Sequence, residues 1–257
     1  MTLPQHALGN TGMTVSALAL GTVKFGRNTD VKYPTDFALP SDADIKNLLR
    51  EAADLGINLL DTAPAYGTSE QRLGAALRGQ RQQWLLCSKV GEQYEDGVSR
   101  FDFKPEAVAP SIARSLRRLG TDYLDLALIH SDGNDLHILD TLGTLDALRD
   151  QQRRGLVRAI GMSHKTLEGG YRALALGADV LMTTLNADDM TAAPLIAQCQ
   201  QDQCGVLIKK ALGSGHSGSD SLQKVAATAG VSSIVVGTLN AQHLRANVAT
   251  VATVLRG

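Results

Sequence analysis

The chain is short of cysteine, of net charge and of long apolar runs, and each shortage excludes something. Only Cys87, Cys199 and Cys204 occur in 257 residues. They make no even framework, and Cys199 and Cys204 lack CxxC spacing, so they read as ordinary thiols of a reducing compartment. The formal net charge is -1 and no basic run interrupts it, so no bulk charge draws the chain to nucleic acid or to an anionic membrane. No stretch of about 18 apolar residues is present to span a bilayer. The start, Met1-Thr2-Leu3-Pro4-Gln5-His6, lacks the charged region and apolar segment of a signal peptide. These absences leave a cytoplasmic protein whose partners are small molecules, with no nucleic acid and no membrane among them.

What is present is a regular alternation. With 44% hydrophobic residues, the chain has the size of one (β/α)8 barrel, roughly 250 residues. Short apolar runs of strand length fall near 16–21, 57–63, 84–90, 123–130, 157–163, 180–186, 205–212 and 232–237. Stretches of helical period lie between and after them, near 45–56, 69–78, 105–119, 138–152, 165–176, 192–201, 221–229 and 241–252. The strand runs are continuously apolar, as in a parallel sheet covered on both faces. Eight such units in strict order favour a closed TIM barrel over an open sheet. The expected organisation is a single domain over 1–257. His6-Ala7-Leu8 and Met13-Thr14-Val15, flanking Gly9-Asn10-Thr11-Gly12, read as an N-terminal β-hairpin capping the barrel bottom.

Three successive strand runs deliver polar groups to their C-terminal ends, where such barrels keep their chemistry. Asp61 closes strand 2, Lys89 strand 3 and His130 strand 4, and Tyr66 follows in the adjoining loop. A free phenol titrates near 10, and a nearby ammonium favours its ionised form. Asp61 would hold Lys89 charged, Lys89 would lower the Tyr66 value, and His130 would bond the oxygen that Tyr66 protonates. This is a tuned general acid suited to carbonyl reduction. A plainer reading pairs Asp61 with Lys89 as a rim salt bridge and leaves His130 in the core.

The segment Asp61-Thr62-Ala63-Pro64-Ala65-Tyr66-Gly67, with Ser69-Glu70 after it, resembles the first signature of the aldo-keto reductase superfamily. Ser115 to Asp125, followed by Ile129-His130, resembles the second. The resemblance implies a (β/α)8 barrel that transfers a hydride between a nicotinamide cofactor and an aldehyde or ketone. Tyr66 would be the acid/base, Lys89 and Asp61 would tune it, and His130 would orient the carbonyl. The implied cofactor is NADP(H), with NAD(H) as competitor, and no metal is implied.

The cofactor set follows from the same resemblance. Gly21 and Thr22 end strand 1. Ser163 ends strand 5, and His164 stands where an asparagine is usual. Asn186 ends strand 6. The string Gly213-Ser214-Gly215-His216-Ser217-Gly218 has GxGxxG form but follows strand 7, so a Rossmann reading is rejected. The family places the pyrophosphate at this loop, which brings in Leu212, Ser214 and Gly215. Strand 7 has no aromatic residue; Lys209 or Lys210 would face the phosphates, or lie at a solvated rim. Gly237, Thr238, His243 and Asn247 resemble the adenosine-phosphate segment, with His243 where an arginine commonly binds the 2′-phosphate and Arg245 two residues later.

The pocket walls are less determined. Lys24 and Phe25 in the loop 22–40, and Tyr94 and Phe101 in the loop 91–103, are candidates, and either of the latter two could pack as core. A C-terminal loop that narrows the family's pocket is missing here, which points to an open site. Two other chemistries fit less well. A metal hydrolase would use His130, Asp132, Asp135 and His137, whose spacing matches no usual motif. A Schiff-base aldolase would use Lys89 as nucleophile. A nicotinamide-binding sensor subunit with little turnover is the non-enzymatic alternative.

Overall fold

The structure, a computed structural model, describes residues 3–215 and 217–256, with Ser214 described by its backbone alone. The chain opens with β1 (Gln5–Ala7) and β2 (Thr14–Ser16), an antiparallel hairpin in which His6 pairs with Val15. It continues through β3 (Leu18–Gly21), a short helix α1 (Val23–Gly26), α2 (Asp42–Asp54), β4 (Leu59–Asp61), α3 (Ser69–Ala76) and β5 (Leu85–Val90). A second hairpin, β6 (Glu92–Glu95) and β7 (Val98–Phe101), precedes α4 (Pro105–Leu119), β8 (Leu124–His130), α5 (Thr144–Arg153) and β9 (Val157–Ser163). The last units are α6 (Leu167–Ala175), β10 (Val180–Thr184), α7 (Ala193–Gln201), β11 (Gly205–Lys209), α8 (Ser219–Ala226), β12 (Ser233–Val236) and α9 (Ala241–Val254). The eight parallel strands β3, β4, β5, β8, β9, β10, β11 and β12 close on one another as a barrel.

Local chemistry sets the helix ends. Ser41 and Asp44 form a reciprocal capping box at the start of α2, satisfying two of its orphan N–H groups. Pro105 opens α4 and Gly120 ends it at φ 63°, as the missing N–H of proline and the left-handed tolerance of glycine dictate.

Period-2 alternation divides the core into two layers. Leu18, Leu60, Leu86, Ala127, Ile160, Leu181 and Ile208 face outward and pack against the helices. Ala19, Leu59, Cys87, Leu126, Leu128, Ala159, Met182 and Leu207 face inward and fill the barrel. Leu8, Met13 and Val15 of the N-terminal hairpin join this inner layer and plug its lower end. Asn58 clamps the hairpin in place: its Oδ1 accepts from Ser16 N at 2.8 Å and its Nδ2 donates to Thr14 O at 2.9 Å.

Three details differ from the sequence expectation. The loop 22–40 contains α1. The helix expected from 138 begins at Thr144, because Gly143 turns left-handed at φ 68° and residues 137–141 form a separate π-turn. The loop 91–103 is the hairpin β6/β7, whose Asp96-Gly97 turn has both residues at positive φ, 53° and 77°. That dipeptide is the strongest short hairpin signal available, but the polar strand Glu92–Glu95 hid it.

Candidate active site

The inward register of each strand carries the chemistry to one mouth. Asp61 lies two residues after Leu59, Lys89 two after Cys87, and His130 two after Leu128, so all three continue the inner layer upward. Ser163 pairs across the ladder with His130, and Lys209 lies two residues after Leu207 on β11. With Tyr66 they line one cavity of about 1070 Å³ at the C-terminal ends of the strands.

Lys89 Nζ donates to Asp61 Oδ1 at 2.6 Å and to the Thr62 carbonyl at 2.9 Å. It lies 4.9 Å from the centroid of the Tyr66 ring. The rings of Tyr66 and His130 meet edge to face at 6.1 Å. His130 Nδ1 sits 2.9 Å from Glu92 Oε2, off the line of a well-aligned hydrogen bond. Glu92 comes from hairpin β6/β7, and its other oxygen accepts from Ser99 Oγ at 2.8 Å.

Burial governs the protonation states. It pushes the Tyr66 phenol well above its ordinary value; Lys89 pulls against that, while Asp61 adds to it. The sequence expectation of a lowered phenol therefore holds for the influence of Lys89 and fails for the sum, because desolvation is larger. Burial also opposes the Lys89 ammonium, but Asp61 and Tyr66 together raise it above its usual range. His130 is lowered by burial, with Glu92 acting in the opposite sense and Lys89 in the same one. A neutral phenol beside a fixed ammonium and a neutral imidazole can give a proton to an oxygen placed between them.

Of the sequence-derived cofactor residues, Gly21, Thr22, Ser163, His164, Lys209, Leu212, Gly215, Gly237, Thr238, His243 and Asn247 line this cavity. The side chain of Ser214 lies outside the described residues. Asn186 is not brought to the cavity. Its Oδ1 accepts from the N–H groups of Asp188 and Asp189, which ties it into the turn after β10. Thr22 Oγ1 is already engaged, donating to the Asp61 carbonyl at 3.0 Å. The His164 ring is held at Nδ1 by the Thr166 carbonyl, 2.9 Å away. Its Cε1–Nε2 edge packs on Gly170, where an added methyl group would come within 3.0 Å. Arg245 points elsewhere and forms a bidentate pair with Glu51 at 2.6 Å.

The wall candidates divide. Lys24 lines the cavity, whereas Phe25 is fully buried core. Phe101 is exposed and stacks on Phe103, and Tyr94 bonds Thr29 and Asp30; neither lines the cavity. Sequence reasoning missed Lys32, Tyr33, Pro34 and Thr35, a strap that crosses the cavity wall. Lys24 Nζ lies 3.9 Å from the Tyr33 ring centroid, and burial pushes the Tyr33 hydroxyl up to about 12. No periodic pattern marks such a strap. Asp135, weighed as a metal ligand, instead accepts from Ser131 Oγ and from the N–H groups of Lys165 and Thr166. Among the described residues no three metal-ligating side chains converge.

The model of the Aldo/keto reductase family matches residues 17–223. The chain belongs to the aldo/keto reductase family. A crystal structure from Pseudomonas aeruginosa, assigned as an aldo-keto reductase, is 47% identical to this member. It superposes with a TM-score of 0.90 and covers 98% of this chain and 95% of that one. Two curated relatives are the L-galactose dehydrogenase of Arabidopsis thaliana and the NADH-specific methylglyoxal reductase of Escherichia coli. They are 36% and 32% identical, over 63% and 61% of this chain. The chain spans about half the length of each, 49% and 51%.

The family uses nicotinamide cofactors, and the lining of the cavity has groups suited to a dinucleotide's phosphates. The N-terminus of α8 has no side-chain cap, and Gly218 and Ser219 open it to the cavity. Free N–H groups at a helix start suit a phosphate. Lys32 and Lys210 add cationic charge to the same cavity.

Proposed function

We propose that this chain, acting as one barrel domain, is a nicotinamide-dependent oxidoreductase that interconverts small aldehydes or ketones and the corresponding alcohols. The observation that carries this reading is the convergence of Tyr66, Lys89, Asp61 and His130 in one cavity of about 1070 Å³. When bound, the reduced nicotinamide supplies the hydride to the carbonyl carbon. Tyr66 gives its phenolic proton to the carbonyl oxygen, and Lys89, held by Asp61, offsets the charge left on the phenolate. His130 orients the same oxygen. Gly21, Ser163 and Lys209 would hold the nicotinamide end; Leu212, Ser214, Gly215 and the start of α8 would receive the phosphates; Gly237, Thr238, His243 and Asn247 would receive the adenosine end.

NADP(H) remains the first choice from the family resemblance. His243 stands alone at the position where an arginine is usual, since Arg245 is occupied by Glu51. An imidazole is a weaker phosphate partner than an arginine fork, so NAD(H) is the second candidate. Three buried free thiols suit a reducing cytoplasm. No helix among the described residues is long and apolar enough to cross a membrane.

The test is a fluorescence titration with NADPH and NADH, followed by turnover with a panel of small aldehydes and ketones. Saturable binding of one dinucleotide with carbonyl-dependent oxidation of it is expected. Failure of both dinucleotides to bind would overturn the reading, and binding without turnover of any carbonyl would point to a sensor.

A further inference from the structure

Lys209 is a cavity-lining amine that the reduction chemistry does not consume. Its Nζ donates to Ser163 Oγ at 2.9 Å and to the His164 carbonyl at 2.7 Å. Both acceptors are uncharged. Among the described residues it has no ion-pair partner, in contrast to Lys89, whose Asp61 carboxylate lies 2.6 Å away. An ammonium carries three N–H groups, of which these two acceptors take two and the cavity is left the third. A neutral amine spends both hydrogens on the two acceptors and keeps its lone pair free.

The surroundings favour that neutral form. Burial acts first, then the charges of Lys210 next in the chain and Lys89 on β5; Lys165 after β9 adds to them, and Asp135 after β8 opposes. Together they bring the group down to about 7. His130 on β8 and His164 after β9 feel the Lys209 charge, and both are lowered themselves. The side chain is part-exposed, and what it faces is the cavity shared with Tyr66 and His130.

We propose that Lys209 is a carbonyl-reactive amine, and that small aldehydes entering the cavity condense with its Nζ as a reversible imine. The Nζ lone pair forms a bond to the carbonyl carbon, the C–O π bond opens, and the oxygen takes one proton from the nitrogen. The carbinolamine then loses its hydroxyl with the second nitrogen proton as water, leaving a C=N bond. No oxidant or reductant is needed, and hydrolysis restores both partners. The step needs Nζ and an open cavity but no hydride transfer, so it stands apart from the reductase reading. An aldehyde held this way fills the cavity and slows the site until it hydrolyses.

The test uses the full chain without dinucleotide, D-glyceraldehyde as probe, cyanoborohydride to trap the imine, and peptide mapping by mass spectrometry. At pH 7 the adduct should form on Lys209 about tenfold or more faster than on an exposed lysine such as Lys46, because burial and neighbouring cations shift Lys209 toward the free amine. Its rate should rise with a midpoint near pH 7. Lys209→Met should remove the fast site and leave the slow ones. Labelling spread over exposed lysines, with Lys209 no faster, would overturn the proposal, as would a fast adduct that survives in Lys209→Met. Should that variant not fold, the site map and pH profile of the unmodified chain still decide.

Discussion

At the scale of single residues, two lysines in one cavity show how partners set charge. Lys89 is 1% exposed and hydrogen-bonded to a buried carboxylate. Lys209 meets only neutral acceptors. Removing one member of a buried pair strands the other, at about 3–5 kcal/mol. Lys89→Met should therefore lower Tm in thermal unfolding as well as turnover, while Asp61→Asn together with Lys89→Met recovers part of the stability. Equal Tm for Lys89→Met and the unmodified chain would show that the pair is not a buried ion pair in solution. His164 gives a pH signature. Burial, then Lys209, lowers its imidazole to about 4. Between pH 6.5 and 4 the unfolded chain takes up a proton that the folded chain refuses, so stability falls as pH falls through that window, by about 3 kcal/mol in all. Denaturant unfolding at successive pH values should show this loss, and His164→Asn should reduce it.

Elements do the aiming. The Gly161 position in β9 lies so close to β10 that an added methyl would come within 1.7 Å of the Val180 carbonyl oxygen. Backbone must then shift in the middle of a ladder that also carries Ser163. Gly161→Ala should destabilise the chain by about 2–3 kcal/mol, read as a lower denaturant midpoint. Hairpin β6/β7 acts on the site through Glu92. Glu92→Gln preserves an acceptor for Ser99 and removes the charge beside His130. kcat/KM should fall by about three- to tenfold with dinucleotide Kd unchanged; an unchanged kcat/KM would show that the Glu92 carboxylate has no part in turnover. The hairpin was invisible to an apolar-run reading because Glu92, Gln93, Tyr94 and Glu95 are all polar or amphipathic.

For the whole molecule, the legible part is what periodicity encodes. Alternating inward and outward residues place Asp61, Lys89 and His130 on the inner wall once the barrel closes, and each stands at the end of an apolar run. Ser163 and Lys209 follow by the same rule, whereas Lys210 lies past the end of β11 at φ 59° and reaches the cavity outside the strand register. Asn186 was misplaced because it lies beyond the end of β10, where a turn and not the strand register sets its direction. The strap 32–35 and the contact of Glu92 with His130 were illegible for a related reason: both are tertiary contacts of irregular or polar segments with no period to read. The His164 ring direction depends on Gly170, whose missing side chain opens the space behind β9.

The central claim is that the Tyr66 phenol delivers the proton in carbonyl reduction. It is tested by single-turnover oxidation of the preferred bound dinucleotide by D-glyceraldehyde, in the unmodified chain and in Tyr66→Phe, with Kd for that dinucleotide measured on both. The rate should fall by about 100-fold or more while Kd stays within about twofold, as loss of a general acid requires. Equal single-turnover rates in the two proteins would contradict the claim.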